Sequence, residues 1–193
     1  MLFTFWNMLI SAALAVALLL VSPDALAQTA PPAKCGSAKI ALQNPQYLIT
    51  PAGILALELP PGWTLYAKKK NPFFLLRTGD QYETARTVIY INLQKLEGSF
   101  EQDVLNDEND FKKSDPEAKI EDEPRPEILE AGCKVKAQRF TYKNRKKTYV
   151  DQVTKIGIGG LLLNIVLSSD SGEEIEHFMK DYDEVLKHLA LTT

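Results

Sequence analysis

Only two histidines are present, His177 and His188. Eleven residues apart, they fall on one face of a helix, roughly 16 Å from each other along its axis. Side chains so separated cannot share a metal. The face they occupy lies opposite the helix's apolar stripe, so solvated histidines are expected. Ser168, Ser169 and Asp170 precede His177, which raises a nucleophile–base pair. That chemistry needs a serine presented on a strained strand-to-helix elbow, and no G-x-S-x-G is present. Residues that favour a helix start account for the cluster better. Asp103, Asp107, Glu108 and Asp110 raise a calcium loop, but they lack the glycine at loop position six and the glutamate at twelve. They fit the solvated face of a capped helix. No catalytic residue, metal site or cofactor motif is assigned, and a non-enzymatic role is expected.

Two basic loop tips are better candidates for binding. Lys68, Lys69 and Lys70 form one; Lys143, Arg145, Lys146 and Lys147 form the other. At one end of a sheet they would make a cationic patch for an acidic protein, an anionic lipid surface or a polyanion. The competing reading is hairpin tips charged for solubility and against edge pairing. Neither cluster is interleaved with aromatics for base stacking, so nucleic acid is not an expected partner. Trp63, Tyr66 and Tyr182 are candidates to line a ligand pocket between a sheet and the C-terminal helix.

Cys35 and Cys133 are the only cysteines. In an exported chain an even count reads as a disulfide; two separate thiols is the alternative. A bridge closing so long a loop is worth on the order of 4–5 kcal/mol by the chain-entropy model. With no CxxC and no nearby histidine, the pair makes a poor metal site.

Export is read from Met1 to Ala27, a secretory signal peptide. Leu9 to Val21 is apolar apart from Ser11, Pro23 follows, and Ala25-Leu26-Ala27 fits small-x-small cleavage after Ala27. No Lys or Arg precedes the apolar core. The alternative is an uncleaved anchor, since Leu2 to Val21 is about long enough to span a bilayer. The location expected is periplasmic or secreted. Residues 28–38 read as a Pro-containing linker, and 39–193 as one α+β domain of ordinary composition. The full chain carries a formal charge of −3. That balance is neither nucleic-acid-like nor strongly acidic.

The elements that must position these residues centre on Tyr149 to Leu189. Leu161 to Leu167 is the most apolar run in the mature chain and too short for a self-burying helix, so it reads as a central strand. Leu161, Leu163, Ile165 and Leu167 face one way; Leu162, Asn164 and Val166 face the other. Gly157-Ile158-Gly159-Gly160 reads as the hairpin turn from a preceding strand, Lys147 to Ile156. Ser171 and Glu174 form a capping-box pattern. The helix that follows runs to about Leu189, with Ile175, Phe178, Met179, Tyr182, Val185, Leu186 and Leu189 at helical spacing.

Upstream, strands are expected near Lys39–Leu42, Ile54–Leu59, Trp63–Tyr66, Phe73–Arg77 and Thr87–Leu96. A first helix starts at Ser99, with Gln102 completing its capping box and Phe100, Val104, Leu105 and Phe111 as its apolar face. Glu101 to Glu130 holds twelve acidic and four basic residues. Lys119 to Leu129 contains two prolines and is an edge segment at best. Lys134 to Tyr142 reads as a strand. Adjacent strands with two helices give an α+β fold, a largely antiparallel sheet flanked by the helices.

A strand ending in Leu59-Pro60-Pro61-Gly62-Trp63, further antiparallel strands, a helix after Thr87–Leu96, a hairpin and a C-terminal amphipathic helix resemble the PsbP-like superfamily. It includes the photosystem II extrinsic protein PsbP and the Ran-binding Mog proteins. The resemblance spans about Lys39 to Leu189. It implies a binding or assembly module and not an enzyme, and it carries over no site residue. The signal segment lacks thylakoid-transit character. The reading is an exported domain that binds another envelope protein; the alternative is a small-ligand or lipid carrier.

Overall fold

The computed structural model describes residues 42–66, 72–124, 126, 133–144 and 147–192. In chain order the elements are β1 (Gln46–Thr50), β2 (Gly53–Leu57), β3 (Trp63–Tyr66), β4 (Phe73–Arg77), β5 (Thr87–Lys95), α1 (Phe100–Ser114), β6 (Lys119–Glu123), β7 (Lys134–Asn144), β8 (Lys147–Ile158), β9 (Leu161–Ser169), α2 (Gly172–Lys187) and β10 (Leu189–Thr192). Seven strands form one antiparallel sheet in the order β3-β4-β5-β9-β8-β7-β6. A second sheet, β1-β2-β10, is also antiparallel. This is the α+β fold expected, with a largely antiparallel sheet and a helix on each face.

β9 is central, between β5 and β8. Its two apolar faces separate as the sequence requires. Leu161, Leu163, Ile165 and Leu167 join one core with Ile175, Tyr182, Val185 and Leu186 of α2 and with Leu48, Leu55 and Leu57 of the small sheet. Leu162 packs with Phe100 and Val104 of α1, and Val166 with Phe140 and Val153. Leu162 and Val166 thus put α1 on the face opposite α2.

The turn into β9 is tighter than expected. β8 continues through Gly157 and Ile158, and only Gly159 and Gly160 turn, at φ +54° and +82°. Two successive positive φ values match the right-handed twist of a hairpin. Gly157 serves packing instead: a Cβ there would lie 2.6 Å from Phe100 Cδ2, so the first turn of α1 rests on bare backbone.

At the head of α1, the Ser99 side chain accepts from the Gln102 backbone N–H, the expected cap. Leu105 departs from expectation at 49% exposed, because Phe100 and Val104 already span the contact with the sheet. Ser171 occupies the N-cap of α2, but its side chain makes no capping bond. Its own backbone N–H turns back to Ser169 Oγ.

α2 stops at Lys187. His188 is its C-cap, and Leu189 begins β10 opposite Leu57. The helix therefore does not reach Leu189, although that side chain is buried as the stripe required. β1 was not expected either. It pairs with β2 through a turn in which Thr50 Oγ1 accepts from the N–H groups of Ala52 and Gly53. Of the short strand expected at 39–42, residues 39–41 lie outside the described residues, and Leu42 is not in a strand. The signal segment and linker, 1–38, also lie outside them.

Candidate functional site

Three neighbouring strands set up a banded surface beneath α1. In the first band Lys155 pairs with Asn164, and Asn164 with Asn92. Two residues along, Val153, Val166 and Tyr90 form an apolar band. Two further, Asp151 stands opposite Ser168. Alternation of side chains keeps all of these on one face. Lys155 and Asp151 therefore bracket the surface, roughly 13 Å apart at four residues of strand. Phe111 and Asp107 of α1 and Phe140 of β7 wall it, leaving a cleft of about 200 Å³.

The charges in this cleft are buried unequally. Lys155 is 2% exposed, and its ammonium pairs with the Asp107 carboxylate and lies 6.0 Å from the centroid of the Phe140 ring. Asp151 is 4% exposed. Burial lifts its carboxyl from 3.8 to about 6, against hydrogen bonds from the Ser168 and Tyr142 hydroxyls. Among the described residues Asp151 Oδ1 has no hydrogen-bond partner, and neither has Asn164 Oδ1. Burial, and then the Asp151 charge, push the Tyr90 and Tyr142 hydroxyls above the usual phenol range. The site can hold a cation or a hydrogen-bond donor at Asp151 and a polar group at the Lys155 end.

The residues picked from sequence for a pocket do not converge. Trp63 is buried, its ring edge-on to Phe178 at 5.5 Å and its Nε1 donating to Asp181 at 2.7 Å. Tyr182 is buried in the same layer and donates to the Ile165 carbonyl at 2.8 Å. Both fill the interface between sheet and α2. Tyr66 lies on the other face, stacked on Tyr82 at 5.2 Å. The cleft is under α1, not α2, and its polar lining residues Asp151, Lys155, Asn164 and Asn92 form no motif in the sequence. One signal existed: Asn164 is the sole polar residue in the run Leu161 to Leu167.

Lys68, Lys69, Lys70, Arg145 and Lys146 lie outside the described residues. Lys143 Nζ bonds to Glu117 at 3.1 Å, and its backbone N–H to Asp115 at 2.8 Å. Lys147 Nζ bonds to Asp170 at 2.9 Å, and Asp170 also takes Arg86 Nε at 3.0 Å. The Lys143–Glu117 pair is exposed on both sides and exchanges at little cost, whereas the Asp170 carboxylate is largely buried between Lys147 and Arg86. Cys133 is buried in the main core at the start of β7; Cys35 lies outside the described residues.

The histidines do not share a helix face, because His188 is the cap of α2. Its Nδ1 lies 3.0 Å from the Glu184 carbonyl oxygen. His177 is exposed, edge-on to Phe178. Ser169 is buried against Thr87, with the two hydroxyls 2.9 Å apart. The acidic residues of α1 point to separate partners: Asp107 to Lys155, Glu108 to Gln138, Asp110 to Lys113. Among the described residues no group of three or more His, Cys, Asp or Glu is placed to hold a metal.

No protein-family model and no curated protein sequence matches this chain. Solved structures do. LpqN of Mycobacterium tuberculosis, described as involved in cell envelope biogenesis, aligns with a TM-score of 0.52 at 14% identity, over 78% of this chain and 90% of that one. The cyanobacterial PsbP protein CyanoP of Synechocystis aligns with a TM-score of 0.51 at 12% identity, over 80% and 96%. A Bacteroides thetaiotaomicron protein aligns at 0.46 and 13% identity, over 72% of this chain; this chain spans 45% of that protein's length. Among the described residues no helix is long and apolar enough to cross a membrane. With its helices on opposite faces of an antiparallel sheet and this likeness to CyanoP, the chain has a PsbP-like fold.

Proposed function

We propose that this chain is an exported, non-enzymatic domain that docks onto another protein of the cell envelope. The observation that carries the reading is the outer face of the small sheet. Tyr47 is 65%, Ile49 67% and Ile54 40% exposed, and Ile49 stands directly across from Ile54. Their inward neighbours Leu48 and Leu55 are buried, so the outward apolar residues are not needed for the core. Among the described residues β1 is an edge strand, with one side unpaired and open to main-chain pairing. An apolar face beside an unpaired edge suits strand addition by a partner. The two basic loop tips are a further proposed contact, with Lys143 exchanging its present carboxylate for one of the partner.

Export rests on the signal segment, cleaved after Ala27, and is accompanied by a proposed Cys35–Cys133 disulfide. The native size of the protein in envelope extracts tests the docking. A species larger than the monomer is expected, lost in Ile49→Glu and kept in Leu105→Glu on α1. A complex that survives Ile49→Glu, or a monomer throughout, overturns it. A second role, small-ligand binding, is favoured by the cleft under α1.

A further inference from the structure

We propose that the cleft between α1 and the seven-stranded sheet binds a small organic ammonium compound, with its cationic head on Asp151 and its body along Val153 and Val166. The ligand class follows from what the cleft lacks. Among the described residues four buried side-chain atoms lack a partner, and the two that belong to the cleft's lining, Asp151 Oδ1 and Asn164 Oδ1, are both acceptors. A buried acceptor left unmade is costly, and only a donor relieves it. The Lys155 charge is already matched by Asp107. The carboxylate of Asp151 is then the charge left without an opposite partner in the cleft. Tyr90, Phe111 and Phe140 line the walls, and aromatic faces favour a cation over an anion.

Size and banding narrow the class. The cleft, about 200 Å³, is smaller than the roughly 300–1,000 Å³ that takes a drug-sized ligand. It is too small and too polar-ended for an acyl chain. Past the apolar band the occupant meets Asn92, Asn164 and Lys155. A second cation there would face the Lys155 ammonium. A hydroxyl fits, because it donates to Asn164 Oδ1 and accepts from an amide N–H. An amino alcohol of about five carbons therefore matches both ends.

This goes beyond the docking role and is independent of it, since docking uses the outer face of the small sheet. The test is a two-dimensional NMR titration of the mature chain with aminopentanol, and with pentanediol as the uncharged isostere. The amine is expected to give saturable shifts at residues 151–155 and 164–168, with Tyr47 and Ile49 unmoved. Pentanediol is expected to bind at least tenfold more weakly. Asp151→Asn and the cavity-filling Val153→Phe should each abolish the shifts. Equal binding of the diol, shifts that survive both variants, or no saturable shift overturns the proposal; the last would mean that the cleft holds only water.

Discussion

The ammonium of Lys155, almost wholly buried on β8, is held by the carboxylate of Asp107, which is 57% exposed on α1. This pair joins the acidic helix to the sheet at the mouth of the cleft. It also gives Asp107 a role that its sequence neighbourhood, a run of solvated acids, conceals.

The two halves of this pair differ in what their loss costs. Asp107→Ala leaves an ammonium buried without its counter-charge. Breaking a fully buried pair costs about 3–5 kcal/mol; with one partner half in water, a loss of about 2 kcal/mol is expected. Lys155→Met removes the charge and keeps the volume, so it should be near neutral. Chemical denaturation of both variants checks the order, which a purely decorative surface pair would not show.

Asp151 makes stability depend on pH in the less usual direction for a carboxylate. Its folded value, about 6, lies above the ordinary 3.8, so the folded state holds the proton more tightly. Its contribution is fully present below the unfolded value and is lost as pH rises through 6. A rise of this size corresponds to about 3 kcal/mol at most. Asp151→Asn should therefore stabilise the protein at pH 8 and change little at pH 4. Urea midpoints at the two pH values measure it; equal effects would place the carboxyl in water. A side chain that destabilises the fold at neutral pH fits a binding role, where stability is commonly given up for function.

The proposed Cys35–Cys133 bridge closes a loop of nearly a hundred residues. Cys133→Ser should lower stability by on the order of 4 kcal/mol, less whatever strain the bridge stores. Mass measurement of the protein alkylated with and without prior reduction should show both thiols blocked until reductant is added. Alkylation of the unreduced protein would rule the bridge out.

How much could be read from sequence depended on whether a residue's neighbours along the chain defined its surroundings. Leu161 to Leu167 is apolar on both faces, which only a central strand satisfies, and β9 is one. Ser99 and Gln102 announce a helix start by themselves, and the cap is made. Leu189, by contrast, continues the spacing of Leu186 as a helical residue would. Only its pairing with Leu57, distant in sequence, makes it a strand. Tyr47, Leu48 and Ile49 are consecutive apolar residues with no period of two in the sequence, and their alternate exposure is set only when β2 lies beside them. Trp63 and Tyr182 are large aromatics at a helix–sheet interface, where filling the core satisfies them as well as lining a pocket would. The cleft has no local signature: Asp151 and Lys155 sit at strand positions that look solvent-facing until α1 covers them, and Asn164 is one polar residue in an apolar run. That covering is a tertiary fact, with no local pattern behind it.

Docking through the small sheet is the central claim, and site-specific photocrosslinking in living cells tests it most directly. A photoreactive residue placed at Ile49 should yield a discrete adduct with one envelope protein, while the same group at Leu105, exposed on α1, should yield none. No adduct from position 49, or equal adducts from both positions, would contradict the account.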